Sequence, residues 1–224
     1  MKVLYPISLN TINYLNVDLL KEMIKNYMSQ ERLEYYSSTN SKNLELESGF
    51  SEYWIAKATN GKRIGDGNCP VDIITNTGDI IDVMCLCLNN NYTNEKSIIQ
   101  NFANGGNNLD ELFEKNKISK AINIYTEHYF NKINKCIQEY NTKNIYYYTF
   151  ISTSTNIYLS IFKLNVKNIY NIKELNISKK CKSINCYNFI DDNYGTTKLY
   201  KSKKRLELRL HKNVLTLNNT IKLY

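Results

Sequence analysis

Two short apolar runs, Val71-Asp72-Ile73-Ile74-Thr75 and Ile80-Ile81-Asp82-Val83-Met84, flank the turn-rich tetrapeptide Asn76-Thr77-Gly78-Asp79, and this segment constrains the chain more than any other. β-Branched residues favour the pleated strand, and Asn, Gly and Asp supply the backbone freedom of a tight turn, so the segment is expected to form a β-hairpin. Side chains alternate between the faces of a strand, which puts Asp72 on the face of Ile74 and Asp82 on the face of Ile80 and Met84. Folded back on itself, the hairpin brings both carboxylates to its open end. Two hard oxygen donors there make a candidate site for a divalent cation.

Charge is unevenly spread along the 224 residues. From Lys143 to the C-terminus there are 15 Lys and Arg against four Asp and Glu, an excess of +11, which leaves 14 against 17 (−3) in residues 1–142. The acids therefore accompany the hairpin, and the basic charge lies in the last third. A polyanionic partner is implied, and nucleic acid is preferred to a membrane surface because no segment reads as a basic amphipathic helix. Phosphate contacts are expected from Lys179, Lys180 and Lys182 and from Lys201, Lys203, Lys204 and Arg205, which would set affinity and salt dependence without reading bases. An ordinary solvated lysine face is the competing reading.

Six Cys without a leader peptide or a small disulfide-rich scaffold are expected as reduced thiols in a soluble, cytoplasmic protein. No apolar run approaches the roughly 20 residues of a membrane span, so no membrane partner is expected.

Along the chain, Asn16 or Asp18 can cap a helix carrying Leu20, Ile24 and Tyr27, and Ser37 to Ser48 is polar and loop-like. Phe50, Tyr53 and Trp54 mark one face of a helix over Ser48 to Ala58, and Gly61 closes it. Glu52 lies off that face, either as a solvated carboxylate or as a third acid of the metal site. Beyond the hairpin, Thr93 or Asn94 caps an expected helix with Ile98, Ile99 and Phe102; Gly105-Gly106 ends it, and Leu109, Leu112 and Phe113 start another. Phe130, Ile133, Ile137 and Tyr140 keep helical spacing, with Lys132 and Lys135 on the wet side. Two strands are expected over 145–153 and 157–165, joined by Ser154-Thr155-Asn156. Leu206, Leu208 and Leu210 alternate with Arg205, Glu207 and Arg209, as in a half-buried strand with a charged outer face. The fold class is α/β or α+β, one domain over 1–224 with a central mixed sheet flanked by helices.

A helix with Glu52, then Asp72 opening one strand, then Asp82 on the next, resembles the PD-(D/E)xK nuclease superfamily. Pro70-Val71-Asp72 matches the first half of that family's signature with one inserted residue, and Asp82-Val83-Met84 matches the second half except at its lysine. The resemblance covers residues 48–165, and the stretch from Thr93 to Phe102 and the strand pair after Asn144 look like the later core of a Type II restriction endonuclease. It implies a restriction-endonuclease-like core, with a basic β-rich part over 166–224. It also implies Mg²⁺ held by Asp72, Asp82 and the Val83 carbonyl, with Glu52 as a further catalytic acid. The implied activity is hydrolysis of duplex DNA at a short specific site, by a homodimer if the site is palindromic.

Met84 departs from the pattern, because a thioether offers neither proton nor charge. Lys96, or Lys57 and Lys62 on the approach to the hairpin, are the candidate replacements. A DNA-binding protein that keeps the fold without cutting, and a nuclease acting on RNA, are the rival readings. The remaining constellations are poorer. Cys85 and Cys87 with Cys69, and Cys181 with Cys186, lack a second matching zinc pair. His128 and His211 lack triad partners, and Gly65-x-Gly67 lacks the rest of a nucleotide-binding fingerprint.

Overall fold

The structure is a computed structural model. It describes residues 1–39, 43–64, 71–89, 91–93, 97–101, 109–115, 117–178, 183–200 and 205–224, with side chains throughout except at 97–101, 109–110 and 175–178. Strand β1 (Leu4–Pro6) is followed by helices α1 (Val17–Tyr27), α2 (Gln30–Ser38) and α3 (Ser48–Ala58). Asn16 is the residue that caps α1: its side chain accepts the Leu19 N–H at 3.0 Å, satisfying an amide that the first turn leaves open. α2 is an addition to the expected elements, started by Ser29, whose hydroxyl accepts the Arg32 N–H, and it enters the expected Ser37–Ser48 loop.

Helix α3 has the expected bounds but a different buried face. Ser51, Trp54, Ile55 and Ala58 form the stripe that meets the sheet, while Phe50 and Tyr53 are 45% and 46% exposed. The correction follows from helical geometry, since only a stripe about 100° wide faces the core and Phe50 and Tyr53 lie outside it. Asn60, at φ 49°, takes the left-handed position after the helix, and not Gly61. Gly61 is required for another reason: a Cβ there would lie 2.8 Å from Ile73 Cγ2 and 2.9 Å from the Ile74 carbonyl oxygen.

That close approach lets β2 (Lys62–Arg63) pair with β3 (Ile73–Ile74), which turns back through Gly78 (φ 82°) into β4 (Ile80–Asn89). The expected hairpin is present, with Ile73 opposite Ile81 and Ile74 opposite Ile80. Past β4, the expected helix from Thr93 is replaced by two strands, β5 (Tyr92–Thr93) and β6 (Ser97–Asn101). Ile98 pairs with Glu207 in the distant strand over Arg205–Leu210, so non-local pairing overrides a local pattern that two adjacent β-branched residues already weaken. Gly105-Gly106 and Phe102 lie outside the described residues.

Helices α4 (Leu109–Glu114) and α5 (Ile118–Tyr140) come next, and then the expected pair β7 (Ile145–Ser152) and β8 (Ile157–Leu164). Strands β9 (Lys173–Ser178), β10 (Ser183–Tyr187), β11 (Gly195–Tyr200), β12 (Arg205–Leu210) and β13 (Thr220–Lys222) complete the chain. The class is α+β. The main, mixed sheet has eight strands, ordered β1-β8-β7-β4-β3-β2, with β13 also on β8 and β5 on β4. Within it β4 and β7 are parallel, as a connection through α5 allows. A second, antiparallel sheet, β6-β12-β11-β10-β9, adds to the expected single sheet.

Alternation along β4 divides the core. Ile80, Met84, Leu86 and Leu88 face α5 and, beyond it, Leu199, Leu206 and Leu208 of the second sheet. Ile81, with Val83 and Cys85 beside it, faces α1 and α3. Helices thus cover both faces of the main sheet. Among the described residues no helix is long and apolar enough to cross a membrane.

Candidate active site

The ladder between β3 and β4 stops where the acids begin. The Asp72 N–H donates to the Ile81 carbonyl at 2.9 Å, and the Asp72 carbonyl accepts from Ile64 at 2.8 Å, so its backbone is held between two strands. One step further, Val83 donates its N–H to Asp72 Oδ2 at 2.7 Å. A side-chain oxygen takes the place of a backbone acceptor, which fixes the direction of the carboxylate. Asp82 lies opposite, one residue beyond the Ile73–Ile81 pair, near enough for its carboxyl to act on the titration of Asp72. Burial raises the Asp72 carboxyl above the ordinary aspartate range. The Val83 N–H opposes this, the Glu52 charge adds to it, and the Asp82 side chain and the Arg63 guanidinium lower it again.

Glu52 reaches the cluster from α3 and is engaged there. Its Oε2 accepts from Arg63 Nη2 at 2.5 Å, across from β2. Three carboxylates and one guanidinium therefore converge from α3, β2, the start of β3 and β4. Beneath Glu52, Ser51 Oγ lies 2.8 Å from Cys85 Sγ, and burial pushes that thiol up to about 11, which leaves it a neutral packing group at neutral pH. Behind Asp82, Tyr147 of β7 stands in register with it, and the Tyr147 and Tyr129 hydroxyls meet at 2.5 Å. Burial first, and then neighbouring charge including that of Asp82, holds both phenols above their ordinary range.

Met84 is 6% exposed and belongs to the core shared with α5. A lysine there would put its ammonium among apolar side chains. Of the proposed replacements, Lys57 extends over the Tyr53 ring at 5.7 Å, on the solvent side of α3, and Lys62 is exposed beside Arg63. Lys96 lies outside the described residues, as do Lys179, Lys180, Lys182, Lys201, Lys203 and Lys204. Arg205 is described, and its guanidinium binds Glu207. Glu207 itself is 3% exposed, so the charged outer face expected of β12 is corrected at its centre: the acid is buried and held by the arginine two residues before it on the same face.

Among the described residues, no group of three or more His, Cys, Asp and Glu is arranged to hold a metal ion. Mg²⁺ requires fewer, because one or two carboxylates with waters and phosphate oxygens complete its octahedron. Asp72 and Asp82, on facing strands just beyond the Ile73–Ile81 pair, fit that requirement. Glu52, committed to Arg63, stands beside it. Among the described residues Cys85, Cys87, Cys136 and Cys186 are not in disulfides, and His211 packs its ring edge-on against Tyr92 at 4.8 Å.

Asp72 and Asp82 lie on facing strands as the hairpin pattern predicts, and Arg63, Tyr129 and Tyr147, which the sequence does not single out, lie beside them. The signal for Arg63 was its place one residue after Lys62 at the edge of the Gly-rich approach. Nothing in the sequence pairs the two tyrosines, which lie 18 positions apart on different elements. No protein-family model, curated protein or solved structure matches the chain.

Proposed function

We propose that the protein is a Mg²⁺-dependent endonuclease that hydrolyses the phosphodiester bonds of duplex DNA, with Asp72 and Asp82 as cation ligands and Glu52 as the third acid. The observation that supports it is the placing of Asp72 opposite Asp82 just before β3 begins, with Asp72 oriented by the Val83 N–H. Two half-buried carboxylates on facing strands, one of them raised by burial, are better balanced with a cation between them. Bound Mg²⁺ supplies charge neutralisation at a phosphate and a water of lowered pKa.

The chain's own groups do the positioning. Val83 holds Asp72, Asp82 sits on a strand fixed by its parallel neighbour β7, and the Val83 carbonyl is the proposed third donor by resemblance. Tyr147, Tyr129 and Met84 close the rear of the site with side chains that admit little water. The excess of basic charge after Lys143 draws the polyanion in. Recognition of a short specific sequence by a homodimer, as in Type II restriction endonucleases, is the finer form of the proposal.

The burial of Met84 and the ion pair that occupies Glu52 favour one second reading, a nucleic-acid-binding protein that keeps this arrangement without cutting. Digestion of a sequenced plasmid with Mg²⁺, beside Asp72→Asn and Asp82→Asn, tests the two. Cleavage by the natural chain that both variants lose supports the nuclease. Tight DNA binding with no cleavage, or cleavage that both variants retain, removes it.

A further inference from the structure

We propose that Arg63 is the phosphate-binding cation of the acid cluster, held by Glu52 until a nucleic-acid phosphate takes the carboxylate's place. The inference rests on reading the cluster as a phosphodiester site, and it assigns the role that Met84 cannot fill.

Position comes first. Arg63 is in register with Ile73, so it lies beside Asp72 and not merely near it in sequence. Its charge acts on Asp72, and its guanidinium touches Glu52, so it is the described cation shown to reach two of the three acids. Lys57 points over Tyr53 on the solvent side of α3, and Lys62 leaves the opposite face of the same short strand.

Exposure comes second. The Arg63 side chain is 50% exposed and that of Glu52 21%. An ion pair this open contributes little to the fold after screening, so the arrangement is not needed to hold α3 to β2. Exchanging Glu52 for a phosphate replaces one anion by another at the same solvent-facing guanidinium. Phosphate, like carboxylate, matches the planar fork of arginine with two parallel hydrogen bonds. The swap moves positive charge from a resident acid to the oxygens on which negative charge gathers during hydrolysis.

The experiment is a double-mutant cycle on binding, made in EDTA so that cleavage is not the only readout. A short fluorescein-labelled DNA duplex is titrated against the natural chain, Arg63→Ala, Glu52→Gln and the double variant at several salt concentrations, with the melting temperature of each as a control. Arg63→Ala is expected to lower the slope of log affinity against log salt by about 1, the signature of one lost phosphate contact. Glu52→Gln is expected to tighten binding in the natural background and to do so much less when Arg63 is absent. With Mg²⁺, Arg63→Ala is expected to reduce kcat by about 10²-fold or more, as for other single groups that stabilise transition-state charge. Arg63→Lys, which restores the charge without the fork, should recover part of that loss. An unchanged salt slope, or an equal gain from Glu52→Gln in both backgrounds, overturns the proposal. If the natural chain never cuts but the cycle behaves as stated, the nuclease reading fails and the phosphate contact stands. If it cuts and Arg63→Ala changes neither slope nor kcat, only the role of Arg63 fails.

Discussion

Asp72 accepts the backbone N–H of Val83 at 2.7 Å through its carboxylate, and so serves at once as a strand-pairing group and as a candidate cation ligand. The two roles separate by substitution. Asp72→Ala leaves a partly buried amide without its acceptor and should cost about 1–3 kcal/mol in urea unfolding. Asp72→Asn keeps an oxygen for Val83 and should fold close to the natural chain. Only the natural chain should then gain stability from Mg²⁺, by about 2.7 kcal/mol at a hundredfold excess over Kd. An equal Mg²⁺ response in Asp72→Asn would remove Asp72 from the ligand set.

The pH dependence has a definite sign. Burial holds the Asp72 carboxyl above its ordinary value of 3.8, so the folded chain keeps this proton to higher pH than the unfolded chain does. Its contribution to stability is therefore full below pH 3.8 and is lost as pH rises through the folded value. Asn carries no such proton. In EDTA, the urea midpoint of Asp72→Asn relative to the natural chain should rise with pH across that window, and a constant difference would contradict the raised carboxyl.

Met84→Lys tests what the resemblance leaves open. The position is 6% exposed in the core under α5, and an ammonium there is either stripped of water or neutralised. The expected cost is about 4 kcal/mol, the cost of holding a buried ammonium charged or of lowering its pKa until it is neutral. No gain of DNA cleavage is expected. A folded Met84→Lys variant that cuts faster than the natural chain would show that the lysine was lost from this position.

Much of the site was legible because it depends on short-range rules. Alternation and a turn placed Asp72 opposite Asp82, and helical spacing gave the bounds of α3. What escaped depends on contacts far apart in the chain. β6 resembles a helix until Arg205–Leu210 is paired with it, and Met84 reads as a vacant lysine position until α5 covers that face. Arg63 shows its role only when β2 lies beside Asp72 and across from Glu52. Glu207 looks like a surface charge in an alternating strand, yet it is buried on its own arginine.

Tyr129 and Tyr147 are 1% and 0% exposed, and each hydroxyl has the other as its partner at 2.5 Å. Either single change to Phe strands one buried hydroxyl and should cost about 1–3 kcal/mol, whereas removing both should cost less than the sum of the two. Unfolding of the two single variants and the double gives the coupling directly. Additive losses would mean that the hydroxyls do not depend on each other.

Two glycines on either side of the site should respond in opposite directions. Gly49 is in the first turn of α3 with nothing within 4 Å of a built Cβ, so Gly49→Ala restricts the unfolded chain without a clash. A gain of about 0.5–1 kcal/mol is expected. Gly61 has no such room, because its Cβ would meet Ile73 Cγ2 at 2.8 Å and the Ile74 carbonyl at 2.9 Å. Ile73 is fully buried and that carbonyl belongs to β3, so β2 is what must move. Gly61→Ala should therefore lose about 1–3 kcal/mol, as overpacked sites do. It should also draw Arg63 away from Asp72 and lower the salt slope of metal-free DNA binding as Arg63→Ala does. A variant that loses stability but keeps the slope would show that Arg63 reaches phosphate without the support of β2.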